Sequence, residues 1–457
     1  MPDTSPRVPF DLDATIDPTL VTGRAGVPLV IELVRQRGVA PPVEAQVLVK
    51  QRQRGRRPAQ LVERLIALEV SGGDRCQDLA TLREDQAVAA LLGHPLPAAT
   101  TVRDFLEAFP DEGGPLGEAG PQAAIPLEAA PLGGGGQANR TLVRALPQAA
   151  PAATATLAVD ATLREAHKDA APVAYDGTRG EQPVVGLGAE QDVLRTDPCR
   201  DGHVPAGCGN VRVLAQALAA WPPGVTQRAL RADSARSETA VLRGCEAPAI
   251  ASAISAALSE QLKAELVRLP ERAGHVERAE PDAIRAWAEV PDVPDDGEHR
   301  KARPCLRRSL ALRIQRRQGS RFADGSSVRS CAVVTNREGD GLALLPWHRQ
   351  KAGTVEHPHH VLKTELAAAA LPSGKFGANA AWCRLKTLTY NLLSALKRLP
   401  LPGDLRTARP KRLRFLLCTT VGQVVAQARR TLLRLTGALQ HALLVRARQR
   451  IAALAPA

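Results

Sequence analysis

Apolar positions along the first hundred residues recur at helical spacing. In Pro58-Ala-Gln-Leu-Val-Glu-Arg-Leu-Ile-Ala-Leu68 the side chains of Leu61, Leu65 and Leu68 share one face, so the segment predicts a helix. A second helix is expected from Leu79 to Leu92, stopped by Gly93, and a third from Thr100 to Phe109. Two short helices about a Gly-containing turn suit either a helix-turn-helix or a small helical bundle. The run Lys50-Gln-Arg-Gln-Arg-Gly-Arg-Arg57 fits a basic loop. From Pro110 to Ala152 the periodicity is lost and Gly, Pro and Ala dominate, with Gly133 to Gly136 consecutive. Little ordered secondary structure is expected there, and the segment reads as a linker.

Beyond it the pattern becomes that of strands. Ala155-Thr-Leu-Ala-Val-Asp160, Val184-Val-Gly-Leu-Gly188 and Val193-Leu194 are short apolar runs, Val211 to Trp221 has helical spacing, and Ala229-Leu-Arg-Ala-Asp233 is again strand-like. The order is β-β-β-α-β, with an aspartate closing the first and the fourth strand. Helices are expected over Ser237 to Glu246 and Ser259 to Val267, then strands Leu310 to Gln315 and Ser330 to Thr335 about a Gly-Ser turn. From Val361 onward the chain reads as helical, with Leu385, Leu388, Leu392 and Leu396 forming an apolar stripe.

At 457 residues the chain is long enough for a large core and several structural units. Its formal charge is +13, and the tail from Ala380 holds fifteen Lys and Arg against one acid, Asp404. Such a field favours a polyanion, of which nucleic acid is the commonest and an anionic membrane surface the competitor. The tail's cations equally suit the solvated face of helices. No apolar stretch approaches the ~20 residues that span a bilayer, and Met1 to Asp13 lacks the basic-then-apolar order of a signal peptide. A cytoplasmic protein without membrane attachment is therefore expected. Eight cysteines without a C-x-x-C pair suit free thiols packed in a reducing compartment. Aromatic content is only 3%, with two tyrosines, Tyr175 and Tyr390.

Three acids stand out by context. Asp160 and Asp233 end apolar strands, where a carboxylate is costly unless it faces a cleft or a cation. Glu356 opens the helical segment Glu356-His-Pro-His-His-Val-Leu-Lys363. If the two strands are neighbours, two carboxylates meet at one sheet edge and a third arrives from a helix. Such a trio suits two Mg²⁺ ions, with Mn²⁺ as a substitute, because hard oxygen donors select hard cations and in-line phosphoryl transfer uses an ion on each side of the phosphorus.

The blocks Val159-Asp-Ala-Thr162, Tyr175-Asp-Gly-Thr-Arg-Gly180, Arg200-Asp-Gly-His-Val-Pro-Ala-Gly207, Leu230-Arg-Ala-Asp-Ser-Ala235 and Lys351-Ala-Gly-Thr-Val-Glu-His357 resemble the DDE transposases of bacterial insertion sequences, closest to the family numbered thirteen-eighty. The resemblance runs from Asp11 to Leu435 and takes in Gly377-Ala-Asn-Ala-Ala-Trp382 and Leu388-Thr-Tyr-Asn-Leu392. It implies an RNase H-like core with Asp160, Asp233 and Glu356 as its metal-binding catalytic acids, interrupted by a β-rich insertion before the glutamate. It further implies that Lys363, seven residues after Glu356, contacts the end DNA, with Arg349 and Trp347 as the nearest upstream candidates for holding phosphate. Double-stranded DNA, both inverted-repeat element ends and target, is the implied partner. Also implied are a homodimer that brings two ends together and a bacterial, nucleoid-associated location.

The expected organisation is α/β: a helical N-terminal DNA-binding region over 1–109, the linker over 110–152, the first part of the RNase H-like core over 153–268, the insertion over 269–345, and core completion with a basic helical C-terminus over 346–457. The chain departs from the family pattern in several places. Arg236 and Ser237 stand where an aromatic is usual, Glu181 where a tyrosine is, and Cys331 and Cys383 where larger side chains are. A DNA-binding copy that has lost catalysis and an RNase H-like nuclease are the alternative readings. Pro358 is compatible with a helix that starts at Glu356. Cys199, His203 and Cys208 lack the tight spacing of zinc ligands, and Gly186-Leu-Gly188 is too short for a nucleotide fingerprint. His357, His359 and His360 are expected on the rim of the site, exposed or facing phosphate.

Overall fold

The computed structural model describes residues 17–49, 55–111, 130–146, 153–166, 173–174, 176–204, 207–221, 223–246, 249–256, 260, 262–263, 266, 275–279, 281–291, 307–427 and 430–455. Its centre is a nine-stranded mixed sheet. In chain order the strands are β1 (Thr154–Ala161), β2 (Val184–Gly188), β3 (Val193–Thr196), β4 (Gln227–Ala232), β5 (Ala251–Ser255), β6 (His275–Ala279), β7 (Ala283–Pro291), β8 (Arg308–Arg316) and β9 (Val328–Thr335). They lie side by side in the order β3-β2-β1-β4-β5-β9-β8-β7-β6. β1 runs parallel to β4, and β4 parallel to β5, while every other pairing is antiparallel. The apolar runs read from sequence are β1 to β4, β8 and β9, of which β3 is an edge strand, and three further strands, β5, β6 and β7, complete the sheet.

Strand β1 is buried on both faces, which explains why its apolar run is nearly continuous rather than alternating. Leu157 and Val159 point into a cluster with Val213, Leu214 and Ala217 of the helix Asn210–Ala219 and with Val241, Leu242 and Cys245 of the helix Thr239–Glu246. Ala158 points the opposite way, into the larger core built on the helices Val27–Gln36, Pro58–Ser71, Ala130–Ala145 and Phe376–Arg398. The last of these is the pillar of the fold. Its apolar residues Leu385, Leu388, Leu392 and Leu396 are buried, as the stripe predicted, and so are the polar residues Asn379, Lys386, Thr387, Thr389, Asn391 and Ser394. Lys386 makes an ion pair of 3.2 Å with Glu69, both side chains being inaccessible to solvent, and its ammonium lies 3.6 Å from the centre of the Trp382 ring. Asn391 accepts from the Leu194 amide at 2.7 Å and donates to the Leu194 carbonyl at 2.7 Å and to Asn139 at 2.6 Å. An edge strand would otherwise offer unpaired backbone groups, and here two asparagines take their place on β3.

Three elements differ from expectation. The stretch read as a linker contains the helix Ala130–Ala145, with the glycine run inside it. A Cβ at Gly134 would stand 2.7 Å from the Gln46 Cβ, so this glycine lets the helix lie directly against the helix Ala40–Gln46, while Gly135 and Gly136 face Arg384. Composition suggested flexibility where packing requires small residues. The expected helix Leu79 to Leu92 is two, Leu79–Glu84 and Gln86–Leu92, broken at Asp85. The Asp85 carboxylate caps the second by accepting from the Val88 amide at 2.8 Å and also accepts from the Thr22 hydroxyl at 2.6 Å. Within the C-terminal region read as helical lies a hairpin, Gly422–Gln427 with Arg430–Leu435, to which Val21–Thr22 adds a third strand. Most of Lys50 to Arg57 and of Ser259 to Val267, along with Tyr175 and Cys305, lies outside the described residues. No helix among the described residues is long and apolar enough to cross a membrane.

Candidate active site

The parallel pairing of β1 and β4 sets Val159 opposite Ala232, and one step further along each strand come Asp160 and Asp233. Both acids therefore leave the sheet at the same edge, side by side. Asp233 immediately follows β4 and opens the short turn Ser234–Arg236. Its Oδ1 is buried without a hydrogen-bond partner. Burial pushes its pKa above the usual carboxylate range and the neighbouring Asp160 adds to the rise, against Arg236 and Lys351, which oppose it. Asp160 is also partly buried, which works against its charge. The imidazole of His359, the Ala161 amide that donates to Oδ1 at 2.9 Å, and Lys351 outweigh that penalty, and its pKa is lowered. Two adjacent carboxylates displaced in opposite directions form an electrostatically coupled pair.

Three cationic or ionisable groups border this pair. His359 is 7% exposed, and its Nε2 stands 3.6 Å from Asp160 Oδ2. It is not on an exposed rim, as expected from sequence, because the helix Glu356–His360 turns it inward while leaving Glu356 and His360 in solvent. Lys351 is the basic group whose charge is felt by Asp160 and Asp233 and which in turn feels Glu356. Burial lowers its pKa, and the three carboxylates pull it back up. Arg236, 2% exposed, hydrogen-bonds Asn210 and interacts electrostatically with both aspartates. Behind it lies Arg200, fully buried, with bonds to the Gln182 carbonyl at 3.1 Å, the Gln182 side chain at 2.8 Å and the Cys208 carbonyl at 3.2 Å. Burial and the adjacent Arg236 bring its pKa down to about 10. The sequence block Arg200 to Gly207 thus has a place: its arginine backs the second aspartate.

Glu356 starts its helix as expected, with Pro358 in the first turn, where a missing amide hydrogen is tolerated. It is exposed, accepts from the Gly353 amide at 3.3 Å, and shares Lys351 with the aspartates. Among the described residues no three His, Cys, Asp or Glu side chains stand close enough together to hold an ion. The pair Asp160 and Asp233 is brought together; the glutamate is nearby but not joined to it. Lys363 lies on the π-helical turn Val361–Glu365, half-buried, where burial and the charge of Arg164 lower its pKa. Arg349 ends the helix Gly341–Arg349, two residues before Lys351, and burial lowers its pKa. Cys199, in the marked-down zinc constellation, donates its thiol to Glu181 at 3.2 Å instead.

As a test of fit for a divalent cation, the decisive observation is the buried, unpartnered oxygen of Asp233 beside a second carboxylate. Leaving such an oxygen without a partner is costly unless positive charge completes it. The donors present are carboxylate oxygens, which suit a hard cation. Asp160 and Asp233 fit the group as a pair.

A mixed α/β fold that delivers two aspartates to the ends of adjacent parallel strands, with a glutamate-bearing helix close by, defines a class: proteins built around acidic residues at a sheet edge. Within that class the chain belongs to the transposase family described as transposase DDE domain group 1, whose profile matches residues 11–456. A search of curated proteins finds none that matches. Members of this family cleave and transpose DNA, and divalent metal ions serve the family in general. The strand-end placement of both aspartates expected from sequence is observed. Sequence reasoning missed Lys351 and misplaced His359, for which the only signal was its spacing of three residues from Glu356.

Proposed function

We propose that this protein cuts DNA at the ends of an insertion sequence and joins those ends to target DNA, using Asp160, Asp233 and Glu356 as its metal-binding carboxylates. The observation that carries the reading is the side-by-side placement of Asp160 and Asp233 at the ends of parallel strands, one with an oxygen buried and unsatisfied. The strand order of β1 to β5, three antiparallel neighbours followed by two parallel ones, supports an RNase H-like core, and the strands β6 to β9 between Asp233 and Glu356 support a β-rich insertion that extends the same sheet. Residues 1–109 and the basic end of the chain are the regions we assign to duplex DNA, with dimerisation bringing two element ends together.

Bound Mg²⁺, or Mn²⁺ in its place, would supply an activated water or 3′-hydroxyl and stabilise the departing oxygen. The protein's own part is to hold Asp160 and Asp233 rigidly at the sheet edge. Arg236 and Arg200 confine the second aspartate from behind. Lys351 balances the charge of the three acids before DNA arrives, and Lys363 and Arg349 hold phosphate near the cut.

A second reading has one observation in its favour. Arg236, standing where the family usually has an aromatic, places a fixed positive charge beside both aspartates and weakens their hold on a cation, as in a copy that binds DNA without cutting it. Incubating the protein with paired element-end DNA and Mg²⁺ separates the readings. Nicking followed by joining is expected; cutting without joining would mark a nuclease, and binding alone the silent copy.

A further inference from the structure

His359 is unexplained by a set of three carboxylates. It is more than nine-tenths buried, and neither ring nitrogen has a hydrogen-bond partner. An imidazole buried in this way normally gives one N–H to an acceptor and takes one donor, and leaving both unmet is costly. Asp160 stands beside it, at 3.6 Å between Nε2 and Oδ2. That gap is too wide for a hydrogen bond. It does match two donors of one ion, which stand roughly 3.0–3.6 Å apart when each lies about 2.0–2.2 Å from the metal.

The rest of the arrangement agrees. The other oxygen of Asp160 is occupied by the Ala161 amide at 2.9 Å, so Oδ2 is the oxygen left for a cation, and it is the one His359 approaches. Asp233 Oδ1 is likewise buried and unpartnered. The unpartnered ring of His359 therefore faces the Asp160 oxygen that is left for a cation, whereas Glu356 is exposed and already accepts the Gly353 amide.

We propose that His359 is a ligand of the cation held by Asp160, making this a mixed imidazole and carboxylate site that binds Mn²⁺ more tightly than Mg²⁺. The inference rests on the reading of Asp160 and Asp233 as a cation site. Imidazole nitrogen is a softer donor than carboxylate oxygen and is poorly matched to Mg²⁺, so its presence tilts selectivity toward Mn²⁺.

The test uses the full-length protein and Mn²⁺ alone, followed by electron paramagnetic resonance and spin-echo modulation. Bound Mn²⁺ is expected to show nitrogen modulation in the wild type. His359→Ala is expected to abolish it and to weaken Mn²⁺ binding about tenfold, with a smaller loss for Mg²⁺ in competition. His359→Gln, which keeps a polar side chain but no ring nitrogen, should lose the modulation too while keeping the wild-type circular dichroism spectrum. Mn²⁺ bound without nitrogen modulation, or modulation that survives in both variants, overturns the assignment of His359. Asp160→Asn distinguishes the two levels: if that variant binds Mn²⁺ as well as the wild type, or if the wild type binds none, the cation site itself is wrong.

Discussion

His348 lies beneath the strand that delivers Asp233, its Nε2 3.3 Å from the Ala232 carbonyl and 3.5 Å from the Ser255 hydroxyl. It is 5% exposed, and burial holds its pKa down from 6.5 to about 4. The unfolded chain takes up a proton at this residue below about 6.5, whereas the folded protein resists until about 4. Stability from this group is therefore complete above the unfolded value and is lost as pH falls through the window between the two, by about 3 kcal/mol in all. Denaturant unfolding of His348→Gln between pH 7 and pH 4 should show a flatter loss of stability than the wild type. Parallel curves would show that His348 does not titrate in this way. The contrast with the acids is instructive about what a sequence discloses. Asp160 and Asp233 could be singled out because each closes an apolar run within a block that resembles the family, even though an aspartate at a strand end is commonly a cap or turn residue; the structure sets the two side by side. His348 and His359 could not be singled out, since an imidazole is equally at home in a core or on a surface, and only the packing of the helices Gly341–Arg349 and Glu356–His360 decides which.

Among the elements, the helix Phe376–Arg398 carries the largest share of the polar structure inside the core. Its Lys386 is bound to Glu69 of the helix Pro58–Ser71, so one buried ion pair fastens the N-terminal helices to the pillar. Removing one partner leaves the other as an isolated buried charge, whereas replacing both leaves an apolar contact. Lys386→Met is expected to destabilise the protein by about 3–5 kcal/mol, read as a lower thermal midpoint. The double variant Glu69→Leu with Lys386→Met should recover most of that loss. A single variant as stable as the wild type would contradict the account. The leucine stripe of this helix was readable from its spacing, but Lys386 and Asn391 were not, because a period rule assigns polar positions to solvent. The helix Ala130–Ala145 escaped for a related reason: four consecutive glycines argue against a helix locally, and the close approach to Gln46 that rewards them is a tertiary fact. The hairpin Gly422–Gln427 and Arg430–Leu435 is mostly exposed along its second strand, so it never shows the alternation of a half-buried strand.

At the scale of the whole molecule, the succession of strands along the chain as far as β4 was readable from their apolar runs, whereas their side-by-side order was not. What the sequence could not show is that the strands preceding Glu356 continue the same sheet through the pairing of β9 with β5, nor that the N-terminal strand Val21–Thr22 closes onto the C-terminal hairpin. Both are long-range pairings with no local signature. The first extends the sheet whose edge carries the two aspartates, and the second forms a separate three-stranded sheet. The most direct test of the account is single-turnover cleavage of element-end DNA by Asp160→Asn and Asp233→Asn, with binding to the same DNA measured in parallel. Loss of a carboxylate that holds the ion removes several kcal/mol of transition-state stabilisation, so each variant should cut at least about a thousandfold more slowly while binding as the wild type does. Cleavage by either variant at the wild-type rate would contradict the central claim.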